Sequence, residues 1–469
     1  MGQNRTTKRV KFVLINPTSP VWRVRNGERP RQSRFFRFSV LPSLYVAASM
    51  PPYVDTQIID EDVEPIDFDI TADLIGVSFM TYNAPRAYEI ADFFRTKRDK
   101  PVIFGGYHPT FMPDEAIQHA DAVCIGDAED NVPRMMNDFV GGSLKPFYRS
   151  ASPSLAGLPI PNRNLILKRN YAPVDALQAT RGCSHRCSFC SVAAFHRYRL
   201  RTRPIDEVIE ELKTLGKNVL FIDDNIIGDR EYAKQLFSTM IPLRKRWFSQ
   251  CGIGITRDEE LLRLASRSGC RGLFVGFESL SQTDLRNWGK HSNLGRDYLA
   301  VVKKLHAAGI GVWAAFVFGG DEDTSYVFER TLEFLLEANV EVLQATRMTP
   351  FPGTPLFDEL DRQGRIVDKD WSHYGFSHVV FEPKHMSPET LDAGVAWVLQ
   401  EFLNRRRVVQ RIWRSLRYLS PVVALGVTLP LNLGYRHRKT MDGEFRRAGP
   451  FSAPEKLAPR RRGAESTVH

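Results

Sequence analysis

Cysteine is scarce in this chain: six residues in 469. That count excludes a disulfide framework, and it fits a reducing, cytoplasmic setting. The start, MGQNRTTKRVKFVLINP, lacks an apolar segment and a small-residue cleavage site, so no secretory leader is expected. Its first residues fit the myristoylation pattern only loosely. No uninterrupted apolar run reaches the length of a membrane span. The uncharged stretch 418–435 is broken by two prolines, two glycines and Asn432. A net positive charge is also missing from most of the chain. The net charge is +10, yet from Phe402 onward there are 15 Lys and Arg against 4 Asp and Glu. The preceding residues are therefore close to neutral, and no nucleic-acid partner is expected.

What is present is concentrated. Three of the six cysteines fall in Arg181–Cys190, RGCSHRCSFC, at the spacing C-x3-C-x2-C: Cys183, Cys187 and Cys190. Three thiolates on one loop can hold three irons of a four-iron cluster and leave the fourth iron open. A zinc site with His185 or His196 as fourth ligand is the other reading, although structural zinc usually takes two separated hooks and only one is here. Cys124, Cys251 and Cys270 stand singly in apolar surroundings and read as core residues.

The length suits about three domains. Residues 8–149 alternate short apolar runs (VKFVLINP, VDTQIIDED, ADLIGVSFMTYN, PVIFGGYHPT, DAVCIGDAED) with helical stretches. This predicts five buried parallel strands of a doubly wound α/β sheet, with ligands beyond their carboxyl ends. Asn16, Pro17, Thr81, Tyr82, Asn83, Gly105, Gly106, Tyr107, His108, Gly126 and Glu129 lie there. Residues 150–171, rich in Pro, Ser and Asn, read as a linker. Residues 172–376 give six strand–helix repeats, with strands DALQAT, NVLFID, CGIGI, GLFVGFE, GVWAAFVFG and VEVLQATRM. In barrels of this kind the chemistry sits at the carboxyl ends of the strands. Those ends hold Asp223, Asp224, Glu278, Phe318, Gly319 and the loop 349–355. Taken alone, the acidic residues read equally well as helix caps. Residues 377–445 read as helical, with Ser387 as an N-cap. Six arginines mixed with apolar residues over 405–417 suit either a basic amphipathic helix on an anionic membrane or a cap with solvated arginines. Residues 446–469 read as a disordered basic tail.

The cysteine spacing, with Phe189 before the last cysteine, resembles the signature of the radical S-adenosylmethionine (AdoMet) enzymes. The first segment, with FGGYHPT as its best local match, is similar to the cobalamin-binding domain that precedes the barrel in one large subclass. The resemblance implies an α/β chain: a Rossmann-like cobalamin domain, a partial (β/α)6 barrel and a C-terminal helical extension. It implies a [4Fe-4S] cluster on Cys183, Cys187 and Cys190, together with AdoMet and cobalamin. Phe189, Asp223, Glu278, Phe318 and Gly319 would contact AdoMet, with Asp223 toward its amino group and Glu278 toward its ribose. Thr81, Tyr82, Asn83, Gly105, Gly106, Tyr107, His108, Gly126 and Glu129 would contact cobalamin. No Asp-x-His-x-x-Gly motif is present, so cobalt without a protein histidine is expected, with His108 the nearest alternative.

The implied activity is methylation of an unactivated carbon through a 5′-deoxyadenosyl radical. An oxidative cyclase on the same cofactors is the alternative, and a non-catalytic iron–sulfur or zinc protein is the alternative of another class. The implied partners are a small or lipid-like substrate, an electron donor such as flavodoxin or ferredoxin, and a membrane surface touched by the basic helix.

Overall fold

The computed structural model describes residues 9–447 apart from 21, 25–27, 29–33 and 35–36. The basic tail expected at the C-terminus lies, from residue 448, outside the described residues.

Six strands make the first sheet: β1 (Val10–Asn16), β2 (Val54–Asp60), β3 (Leu74–Ser78), β4 (Val102–Gly105), β5 (Ala122–Ile125) and β6 (Phe147–Arg149). All pair in parallel, in the order β2-β1-β3-β4-β5-β6. The expected count was five; β6 adds an edge strand too short to show a pattern. Strands β3 to β5 read LIGVS, VIFG and AVCI and are buried on both faces, as parallel sheets covered by helices require. Helix Ala84–Arg98 covers one face through Ala87, Ile90, Ala91 and Phe94. Helix Val132–Val140 covers the other through Val132, Met135 and Met136. The chain runs outward in opposite directions from β1, to β2 and to β3. This reversal opens a crevice at the carboxyl ends.

The second sheet contains β7 (Asp175–Leu177), β10 (Asn218–Phe221), β11 (Arg246–Cys251), β12 (Cys270–Glu278), β13 (Gly311–Phe318) and β14 (Val342–Arg347). It is parallel throughout, in the order β14-β13-β12-β11-β10-β7. Between β7 and β10 a short antiparallel pair, β8 (Thr180–Arg181) and β9 (Arg201–Thr202), brackets the cysteine loop. Among the described residues β7 and β14 do not pair, so the barrel stays open. One strand differs from the sequence reading. The third barrel strand is Arg246–Cys251, and the expected strand CGIGI is largely a 3-10 turn, Ile253–Arg257. The preceding helix stops at Met240, the chain turns through Arg244 in the left-handed region, and Trp247 is then buried against Phe221 and Phe237. The helix Glu259–Ser268 shows how the repeats are delimited. Asp258 caps its first turn, and Gly269 ends it at φ 103, where an added Cβ would meet Lys245 O at 1.9 Å.

The C-terminal region forms helices Pro388–Phe402 and Arg405–Ser415 and a longer helix, Pro421–Met441, interrupted by a π turn at Ala424–Thr428. Ser387 caps the first of these, as expected. The halves are joined by a buried ionic knot. Arg203 donates to Glu211 (2.7 Å), to Tyr45 OH (3.1 Å) and to Gln178 O, while Arg163 of the linker takes the other Glu211 oxygen.

Candidate functional site

The cysteine loop is built to hold one shape. Gly182 has φ 85, and an added Cβ would meet Arg199 O at 2.2 Å, so only glycine fits before Cys183. Asp223, fully buried at the end of β10, accepts hydrogen bonds from the Ala179 and Thr180 amides. Its neighbour Asp224 accepts from Gly182 N at 2.8 Å. Burial pushes these carboxyls up, to about 7 for Asp223 and about 6 for Asp224, against the pull of those amides. From the other side, Ser188 N donates to Trp288 O, Leu356 N donates to Ser188 O, and Phe189 lies edge-on to Trp288 at 5.7 Å.

The thiols suit a cluster. Cys187 is buried, and Cys183 and Cys190 are partly so. Burial raises all three, Cys190 to about 12, so without a metal they would stay protonated. Amides oppose this at Cys183 and Cys190, and Lys290 opposes it at each of the three. Burial disfavours the Lys290 charge, but Glu278, at 2.8 Å, and the thiols more than restore it. A buried cation is what an anionic iron–sulfur group on three thiolates needs beside it. The zinc alternative finds no fourth ligand in His196, whose Nδ1 accepts from Arg201 at 3.1 Å. Among the described residues no three His, Cys, Asp or Glu side chains are grouped to hold a single ion.

Beside the loop, a cavity of about 580 Å³ opens between the carboxyl ends of the two sheets. Tyr82, Asn83, Gly105, Gly106, Tyr107, Gly126 and Glu129 line it, as do Arg181, Phe195 and Asp224 from the barrel side. A broad ligand could lie against backbone here, because Gly105, Gly106 and Gly126 put bare main chain on the cavity wall; Gly106 (φ 105) and Gly126 (φ 87) are also required by the protein's own packing behind it. At Gly106 an added Cβ would meet Phe79 O at 2.6 Å, and at Gly126 the Ser150 Cβ at 3.1 Å. The residues present thus fit a cobalamin face. Gly106→Ala should lower stability by about 2–3 kcal/mol, since no L-residue takes this backbone cheaply. Gly105→Ala, where the nearest atom is 3.8 Å away, should cost little. Thermal denaturation of both variants checks this, and equal melting temperatures would refute it.

Four expected contacts, His108, Thr81, Phe318 and Asp223, do not line the cavity. His108 is fully buried behind the crevice, hydrogen-bonded to Tyr88 OH at 3.0 Å and edge-on to Trp371, and does not line the cavity. The cause is helix Tyr107–Phe111, which points Tyr107 into the cavity and His108 away from it. Thr81 is likewise buried and does not line the cavity. Phe318 packs into the barrel core 5.5 Å from Phe328, so only backbone at Phe318 and Gly319 could face a ligand, and Gly319 is itself pressed by Leu391 and Phe381. Asp223 spends its oxygens on the loop, which leaves Asp224 as the barrel-side carboxylate on the cavity wall. Glu278, held at φ 67, stays beside the thiols through Lys290.

The structure adds residues that motif reading missed. Arg181 bridges Asp127 (2.9 Å) and Glu129 (2.8 Å) of the loop after β5, and Arg201 takes the other Asp127 oxygen at 2.8 Å. Tyr107 packs on Phe195, just past the cysteines, at 4.5 Å. Lys290 carried no local signal at all.

Comparison with known proteins agrees with this geometry. Residues 177–335 match the model of the Radical SAM superfamily, and residues 40–135 that of the B12 binding domain. The chain is 32% identical over 383 residues to the bacteriochlorophyllide d C-12(1)-methyltransferase of Chlorobaculum tepidum, covering 78% of this chain and 82% of that one. It is 26% identical to the hopanoid C-2 methylase of Rhodopseudomonas palustris, over 70% of this chain and 65% of that one. The fold matches that of the radical AdoMet methyltransferase TsrM from Kitasatospora setae with cobalamin and a [4Fe-4S] cluster bound, at a TM-score of 0.63 and 16% identity over 85% of this chain and 90% of that one. The chain belongs to the cobalamin-dependent radical AdoMet enzymes, in their methyltransferase branch, and its cofactors are a [4Fe-4S] cluster, AdoMet and cobalamin.

Proposed function

We propose that this enzyme methylates an unactivated carbon of a largely apolar small molecule. One observation carries the reading: Arg181 and Phe195, which flank the cysteine loop, and Gly105, Gly106 and Gly126 of the first sheet line one cavity, and Arg181 ties its two sides together. When bound, the reduced cluster with AdoMet supplies a hydrogen-abstracting radical, and cobalamin supplies the methyl group. The chain's own part is placement and shielding. Cys183, Cys187 and Cys190 would hold the cluster, Lys290 and Glu278 would balance its charge, and Asp224 would offer an oxygen to the AdoMet ammonium. Gly105, Gly106 and Gly126 would let the corrin approach backbone, while Tyr107 and Phe195 would exclude water between the halves. The two relatives are named for a bacteriochlorophyllide and a hopanoid, which favours an extended hydrocarbon framework in the substrate. The test is anaerobic turnover with methyl-labelled AdoMet and an apolar cell extract. Label should enter one apolar product. AdoMet cleavage with only a dehydrogenated product would favour ring-closing chemistry instead.

Two partners fit the surface. Arg186, Arg197 and Arg199 are exposed around the cysteine loop, which suits an acidic one-electron donor of the flavodoxin or ferredoxin type. No helix among the described residues is long and apolar enough to cross a membrane. Helix Arg405–Ser415, however, holds Val409 and Trp413 66% and 71% exposed among exposed arginines. This is the face of a helix lying on anionic lipid. Val409→Ser with Trp413→Ser should reduce co-flotation with anionic liposomes about fivefold or more; equal flotation removes the membrane reading.

A further inference from the structure

A second cavity, of about 610 Å³, lies inside the open barrel. A closed eight-stranded barrel fills this space with layers of side chains; six strands leave it hollow. The inward-facing Phe248, Gln250, Phe274, Trp313 and Gln344 line it and keep part of their surface open. Their strand neighbours Trp247 and Leu343 are buried in the core under the outer helices. Aromatic walls with a few amides are the lining of a site for an apolar ligand with a hydrogen-bonding edge.

The wall opposite the strands is the turn Val422–Val427. Pro430 has no N–H to give the Gly426 carbonyl, and the helix widens there into its π turn. Gly426 is exposed, and an added Cβ would meet nothing within 4 Å. On its outer side the same turn exposes Val422 and Leu425, and the turn packs against the helix that carries Trp413. At the other end, Phe38 and Ile222 line both this lumen and the cavity between the sheets. Ile222 directly precedes Asp223 and Asp224. Phe38 and Ile222 therefore stand where the hollow barrel and the cofactor face come together.

We propose that the lumen receives the apolar body of the methyl acceptor. The acceptor enters past Val422–Gly426 from the side bearing Trp413, and its reacting end passes Phe38 and Ile222. The inference rests on the methyltransferase reading, but occupancy can be read without turnover. The experiment is photolabelling of the anaerobically loaded enzyme with a long-chain alcohol bearing a diazirine, followed by peptide mapping. Saturable adducts are expected on the peptides holding Phe248, Phe274 and Trp313. Gly426→Trp should cut them about tenfold while leaving adducts on the Trp413 peptide unchanged. Absence of saturable adducts overturns the proposal, as do adducts confined to the Trp413 surface or to the loops of the first sheet. The wild-type map decides alone if Gly426→Trp does not fold. Lumen labelling without methyl transfer would count against the function and not against the site; methyl transfer without lumen labelling would do the reverse.

Discussion

Cys187→Ala should bring bound iron from about four atoms per chain to near zero, and AdoMet cleavage to 5′-deoxyadenosine should fall below detection. Cys187 is the most buried of the three ligands, 5% exposed, and its backbone lies beside Gly289. The two remaining thiols cannot hold a cube that uses three corners, and no other cysteine is near: Cys124, Cys251 and Cys270 lie in the two cores. Loss of the fold is not the cause to expect. The Asp223, Asp224 and Trp288 contacts that set the loop involve main-chain atoms and survive the change. The metal-free forms of variant and parent should therefore melt within about 1 kcal/mol of each other. Iron analysis and cleavage assays on anaerobically reconstituted protein check this, with Cys124→Ala as a control that keeps its iron. A Cys187→Ala protein that retains about four irons would falsify the ligand assignment.

Lys290→Met should be the most damaging single change outside the cysteines. It removes the cation that faces Glu278 at 2.8 Å and leaves a carboxylate, 8% exposed, with no counter-charge beside three thiolates. Breaking a buried pair in this way costs about 3–5 kcal/mol. The cluster should then load poorly even where the protein folds, because every thiolate has lost the charge that favours it. The double variant Glu278→Gln, Lys290→Met removes the stranded charge and should recover more than half of the lost stability. It should not recover full iron loading. Denaturant unfolding and iron content give the two readouts. A double variant no more stable than Lys290→Met would show that the pair is not what holds this corner together.

The parts of this site readable from sequence were those whose chemistry is local. Three thiols within eight residues announce themselves, and so do the glycines at the ends of buried apolar strands. The misplaced third barrel strand shows what hides. RWFSQC is hard to see as a strand because its inward positions, Arg246, Phe248 and Gln250, face a hollow lumen and carry no uniform apolar demand. The nearby CGIGI satisfied the expected pattern and formed a turn. Tyr107 and His108 could not be ranked without knowing which way one short helix faces. Lys290 and Arg181 act on groups far along the chain: Lys290 on cysteines about a hundred positions away, and Arg181 on Asp127 and Glu129 of the other sheet. Spacing cannot report such pairs.

The Arg181 bridge has a consequence for how such enzymes can be recombined. Arg181 stands two positions before the first cluster ligand, yet it grips the loop after β5 in the other half. The two halves are therefore not interchangeable cassettes. A chimera that imports a foreign first half must bring an acidic pair in place of Asp127 and Glu129, or it will bury Arg181 and Arg201 without counter-charges at the seam. Shuffling that treats these four residues as one heritable unit should yield working hybrids, and a crossover that splits them should yield misaligned ones.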